Sequence, residues 1–113
     1  MIQIYHNPRC RKSREGLAIL EASGKDFEIV KYLEVTPSEE TLGEIIQKLG
    51  ISPIALIRTN EAIWKEHYKG KVLSDQAIIK AMVSNPKLIE RPIVIHDKRA
   101  VIGRPPEAIK TIL

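Results

Sequence analysis

The sequence holds one cysteine, Cys10, so no disulfide can close within the chain. That scarcity excludes a small secreted scaffold stapled by disulfides and points to a reducing, cytoplasmic setting. No apolar run approaches the roughly 18 residues that a membrane-spanning helix needs. The start, Met1-Ile2-Gln3-Ile4-Tyr5, lacks the apolar stretch of a signal peptide, and its cationic residues follow the short apolar run instead of preceding it. Walker and G-x-G-x-x-G loops are absent, as are repeats, low-complexity segments and linkers. His6, His67 and His96 fall at no metal-ligand spacing with Cys10, which argues against a zinc site.

What remains is an ordinary globular composition. At 113 residues, read as one domain over 1–113, the chain can bury a core without disulfides or metal. Its net charge of +4 points to an anionic partner. A small oxyanion, a phosphorylated metabolite and nucleic acid all fit that balance.

Residues 1–5 alternate Ile2 and Ile4 with polar neighbours and predict a short strand. His6-Asn7-Pro8 interrupts it, and a helix is expected from Arg11 to Ser23, ended by Gly24. Phe27 to Tyr32 reads as a second strand. Thr36-Pro37-Ser38-Glu39 has the form of a capping box, with Thr36 as cap and proline first in the helix. Leu42, Ile45, Ile46 and Leu49 then share one helical face, and Gly50 closes it. Between Ser52 and Tyr68 the pattern gives short helical pieces without clear limits. Ser74 caps a further helix carrying Ile78, Ile79, Met82 and Val83, which stops before Pro86. Ile93-Val94-Ile95 and Ala100-Val101-Ile102 read as a hairpin across His96–Arg99, and a last helix begins near Pro105-Pro106. The order β-α-β, a helical middle, then β-β-α predicts an α/β fold. It is a thioredoxin-like mixed four-stranded sheet flanked by helices, with a helical insertion in the middle of the chain.

Chemistry concentrates in His6-Asn7-Pro8-Arg9-Cys10-Arg11-Lys12-Ser13-Arg14. Cys10 follows a strand and opens a helix, where unpaired backbone N–H groups and the positive end of the helix dipole favour an anion. Arg9, Arg11, Lys12 and Arg14 add positive charge, and His6 can add more. Such settings hold a cysteine below its free pKa of about 8.5. A buried, inert cysteine is the competing reading, and four basic neighbours argue against it. A redox pair of the C-x-x-C kind is excluded because position 13 is Ser. A Cys-x5-Arg phosphatase loop is excluded because Gly16 stands where the arginine would be.

Arg58 lies where an apolar stretch turns polar, Arg91 precedes Pro92, and Arg104 sits between Gly103 and Pro105. Taken singly, each reads equally well as a surface or salt-bridged arginine. Together they offer the forked donors that a tetrahedral oxyanion's several oxygens can accept.

Tyr5-His6-Asn7-Pro8-Arg9-Cys10 with Ser13-Arg14, Leu56-Ile57-Arg58, Arg91-Pro92-Ile93-Val94 and Gly103-Arg104-Pro105 resemble the glutaredoxin-coupled arsenate reductase family, ArsC type, from Met1 to Leu113. The resemblance implies Cys10 as nucleophile, with His6 and Ser13 stabilising its thiolate. It implies that Arg58, Arg91 and Arg104 hold arsenate or a similar oxyanion, and that Pro92 is a cis-proline facing the cysteine. It further implies glutathione as co-substrate and glutaredoxin as partner, with no bound cofactor, metal, nucleic acid or membrane. Arg11-Lys12 departs from members that carry small residues after the cysteine. Two other readings stay open: a glutathione-dependent thiol reductase without arsenic activity, and a regulatory binding module of the same fold.

Overall fold

The alternation of Ile2 and Ile4 becomes strand β1 (Ile2–Tyr5) in the computed structural model, which describes residues 1–113. Helix α1 (Arg11–Ser23) follows, then β2 (Phe27–Val30), α2 (Glu39–Leu49), α3 (Ala62–His67), α4 (Asp75–Ser84), β3 (Ile93–His96) and β4 (Arg99–Ile102). Short 3-10 turns occupy Pro53–Leu56, Pro86–Leu88 and Pro106–Ile112. The chain divides into two compact units, Met1–Val35 with Arg91–Leu113, and Thr36–Glu90.

The first unit holds the sheet, in the order β2-β1-β3-β4. β1 pairs parallel with β2 and antiparallel with β3, and β3 and β4 form the expected hairpin. The mixed sheet follows from its connections: a helix must cross over between parallel β1 and β2, whereas Asp97 at φ 56° turns the hairpin directly. Ile2, Ile4 and Val94 point from one face of the sheet onto Leu20 of α1 and onto Ile109 and Ile112, forming a buried core. This is the period-2 side-chain alternation put to use.

Several limits move relative to expectation. β2 ends at Val30 instead of Tyr32, because His6 N–H takes the Val30 carbonyl (2.9 Å) and the chain then turns, with Glu34 and Val35 N–H both donating to Lys31. The last helix is a 3-10 helix: it opens on two prolines, which lack N–H donors, and is only seven residues long. Its end is fixed where His96 Nδ1 (2.5 Å) and Arg99 Nη2 (3.3 Å) meet the Ile112 carbonyl. Peptides Arg91–Pro92 and Arg104–Pro105 are cis.

The second unit is helical. Ser38, not Thr36, caps α2: its Oγ accepts the Thr41 N–H at 3.1 Å, so Pro37 lies outside the helix. Glu39 and Glu40 then occupy the first turn, where carboxylates complement the dipole. Gly50 closes the helix at φ 68°, a conformation that costs other residues more, and its N–H caps the Ile46 and Gln47 carbonyls. Ser74 caps α4 in the same way as Ser38, through Ala77 N–H at 3.1 Å. The stretch that sequence left undelimited resolves into the turn at Pro53–Leu56 and α3, whose Trp64 stacks on Tyr68 with ring centroids 5.4 Å apart.

Candidate active site

β1 delivers the chain to a tight turn before α1. Cys10 N–H donates to the Asn7 carbonyl (3.0 Å), and the Asn7 side-chain oxygen accepts Arg9 N–H (3.0 Å). Proline at position 8 suits such a turn, and asparagine supplies the side-chain acceptor that stabilises it. As the sequence predicts, Cys10 opens α1; it is the N-cap residue, and it is partly buried. Its sulfur closes no full capping hydrogen bond, but the Ser13 N–H faces it and favours its charged form.

Ser13 is fully buried and serves as the knot of this corner. Its Oγ accepts Asn7 N–H at 3.0 Å and lies 2.6 Å from His6 Nδ1. The hydroxyl can donate to a neutral imidazole while accepting from the backbone, so both buried neighbours are satisfied. His6 itself is buried, and its pKa is lowered, first by burial and then by Lys31 and Arg14. That direction favours the neutral imidazole, whose Nδ1 donates to or accepts from Ser13 Oγ according to its tautomer, and works against His6 adding positive charge.

Two of the three distant arginines meet the sulfur. Arg104 Nη2 donates to Cys10 Sγ at 3.5 Å, while its Nε donates to the Arg91 carbonyl at 2.9 Å. Burial pushes the Cys10 thiol pKa up, but the Ser13 N–H, a hydrogen bond from Arg91 and the charges of Arg91 and Arg104 outweigh it. The net direction is down, toward thiolate.

The basic residues beside Cys10 are mostly occupied elsewhere. Arg11 and Lys12 reach Glu15 at 3.2 and 3.5 Å, one helical turn on, and Arg14 donates to the Pro8 carbonyl at 3.0 Å. Lowering of the thiol pKa is thus the work of the Ser13 N–H first and then of arginines about 80 or more residues away in sequence, not of the flanking basic side chains. Arg58 belongs to the second unit, where Glu61 (3.3 Å) and Glu90 (2.9 Å) hold its guanidinium. Its backbone N–H donates to Leu88 and Glu90 N–H to Leu56, so a short bridge at Ile57 and Ile89 fixes its place. No cluster of three or more His, Cys, Asp or Glu side chains is arranged to hold a metal ion.

The residue that sequence reasoning did not assign is Asn7. It is buried and makes three of the hydrogen bonds that shape the corner, through N–H, carbonyl and side chain. The Asn-Pro pair was a legible turn signal, but which groups it would hold was not.

A sulfur favoured as thiolate, with two guanidiniums at it and a helix start beneath it, can bind an anion and attack its central atom. Residues 5–112 match the ArsC family. The chain is 46% identical to the uncharacterized protein YfgD of Escherichia coli (strain K12), over 99% of this chain and 96% of that one. It is 44% identical to an arsenate reductase of Haemophilus influenzae, over 97% of each. A solved arsenate reductase from Vibrio cholerae superposes with a TM-score of 0.95 at 48% identity, covering 99% of this chain and 97% of that one. The thioredoxin-like architecture expected from element order is the fold that these relatives share.

Proposed function

We propose that this chain, which belongs to the ArsC family, reduces arsenate to arsenite with electrons from external thiols. The observation that carries the reading is the Arg104 guanidinium donating to the Cys10 sulfur at 3.5 Å, with Arg91 beside it. Two forked donors at a nucleophile suit a tetrahedral oxyanion with several acceptor oxygens. A substrate that is only a thiol would have no use for them.

In the first step the Cys10 thiolate bonds to arsenic, and one arsenate oxygen leaves as hydroxide, which is protonated to water. No electrons change hands there. Glutathione then attacks the adduct. Arsenic(V) takes up two electrons as a disulfide forms between Cys10 and glutathione, and arsenite leaves. Glutaredoxin reduces that mixed disulfide and returns Cys10 to thiolate. Two thiols become one disulfide, which balances the two-electron reduction of arsenic. Ser13 N–H and the two arginines stabilise the thiolate between turnovers. His6 and Asn7 act through Ser13, holding the helix start in place. A role for Arg58 in holding the oxyanion rests on the family resemblance alone.

A coupled assay of NADPH consumption, with glutathione reductase in excess and with arsenate, glutathione and glutaredoxin each omitted in turn, tests the reading. Turnover should need all of them and should vanish in Cys10→Ser with the fold intact by circular dichroism. Full activity in Cys10→Ser, or none in the parent under every combination, would sink it. Reduction of a mixed disulfide without any arsenate turnover would favour the thiol-reductase reading instead.

A further inference from the structure

Two glycines flank this site without a turn or cap to explain them. Gly16 lies inside α1, where glycine costs about 1 kcal/mol relative to alanine. A Cβ added there would meet Ile109 Cδ1 and Pro92 Cγ, each at 2.9 Å. At Gly103 it would meet Pro92 Cγ at 2.8 Å and Ile109 Cδ1 at 3.0 Å. Carbon atoms in comfortable contact sit roughly 3.5–4.0 Å apart. By contrast, Gly43 inside α2 has its nearest such neighbour at 4.0 Å, and Gly24, Gly50 and Gly70 have none within 4 Å. Close packing is confined to the two glycines of the first unit that touch Pro92.

The Pro92 ring and Ile109 are both fully buried, so either would have to shift against packed neighbours, the rigid ring with less freedom than the Ile109 methyl. Pro92 follows Arg91, Gly103 precedes Arg104, and Gly16 is on the helix that starts at Cys10. Gly103 N–H also donates to the Pro92 carbonyl at 2.8 Å, and Arg104 Nε to the Arg91 carbonyl at 2.9 Å. Helix, proline and the strand-exit backbone are therefore stacked at van der Waals distance, each one short step from a group at the sulfur.

We infer that Gly16 and Gly103 are positioning residues: by lacking a side chain they let the Pro92 ring seat between them, and that stack sets Arg91 and Arg104 around the Cys10 sulfur. A methyl at either glycine displaces the Pro92 ring, and both arginines are linked to that ring through one or two peptide bonds and a hydrogen bond. Ile109 is the second jaw, since its Cδ1 meets both glycines.

The placement of the arginines rests on the reading of the oxyanion site given above, so the primary readout uses no arsenate. Iodoacetamide alkylation of Cys10 is followed against pH in the parent, Gly16→Ala, Gly103→Ala and, as control, Gly43→Ala. Each glycine variant at the stack is also made with Ile109→Val, which removes the Cδ1. Both stack variants should shift the alkylation midpoint toward that of a free thiol and slow the reaction at pH 7 by roughly threefold or more. Ile109→Val should recover part of the loss, and Gly43→Ala should match the parent. Arsenate protection of Cys10 from alkylation should weaken on the order of tenfold in parallel. Folded stack variants with the parent's midpoint overturn the inference. So do paired variants that still fail to fold, because the stack would then be structural without positioning anything. A parent that arsenate does not protect counts against the proposed function alone.

Discussion

The Cys10 thiol is turned toward its charged form by a neighbour three residues on and by two arginines from the far end of the chain. Burial pushes its pKa up, and the Ser13 N–H, Arg91 and Arg104 bring it below the free-thiol value. Replacing Arg104 by alanine removes a charge-assisted donor, a contact generally worth about 1.5–3 kcal/mol. Arsenate affinity should therefore fall roughly ten- to a hundredfold, and the alkylation midpoint of Cys10 should rise; an unmoved midpoint would show that Arg104 does not act on the sulfur. Linkage fixes the sign of the pH dependence. The folded state holds the thiol proton less tightly than the unfolded chain, so Cys10 contributes stability above the free-thiol pKa and loses it as pH falls through the lowered folded value. His6 has the same sign at lower pH: its contribution is present above about 6.5 and is lost on acidification, when the unfolded imidazole takes up a proton. Urea titrations across pH 5–9 should show stability rising with pH in both windows, and Cys10→Ser should flatten the upper one only.

At the scale of elements, the corner between β1 and α1 depends on one hydroxyl. Ser13→Ala leaves Asn7 N–H and His6 Nδ1 without their buried partner, a loss of about 1–3 kcal/mol by the usual penalty for unsatisfied groups. Chemical denaturation should register that loss, and Cys10 alkylation at neutral pH should slow as the helix start loosens. The caps of the second unit supply the contrast. Ser38→Ala and Ser74→Ala each remove an N-cap bond and should cost about 1 kcal/mol while leaving Cys10 alkylation unchanged. A slower Cys10 in either cap variant would mean that helix integrity in residues 36–90 governs the sulfur after all.

For the whole molecule, the decisive quantity is its thiol inventory of one. On the proposed mechanism a chain with a single sulfhydryl forms an arsenic adduct but cannot by itself supply the second thiol that a two-electron reduction needs. Mixing reduced protein with arsenate in the absence of other thiols should therefore release no arsenite, and adding glutathione should release at most one arsenite per Cys10 until glutaredoxin is supplied. Arsenite release from the protein alone, measured by chromatographic speciation, would contradict this. No helix is long and apolar enough to cross a membrane.

The sequence by itself determined much of the local structure and singled out Cys10 as the proposed nucleophile. Period-2 alternation at Ile2 and Ile4, the stripe from Leu42 to Leu49 and the stops at Gly24 and Gly50 are signals that act over a few residues, and each was realised where expected. Competing local signals were less secure: Thr36 and Ser38 both offer a cap, and only the position of the Thr41 N–H chose between them. Tertiary structure alone decided which charges reach the sulfur. Charge density along the chain pointed to Arg11, Lys12 and Arg14, but a helix turns those side chains onto Glu15 and Pro8. The parallel crossover, the hairpin and the packing of Pro92 against Gly16 and Gly103 bring Arg91 and Arg104 in their place. The electrostatics that ionise a thiol depend on distance in space, and only the folded sheet supplies that distance.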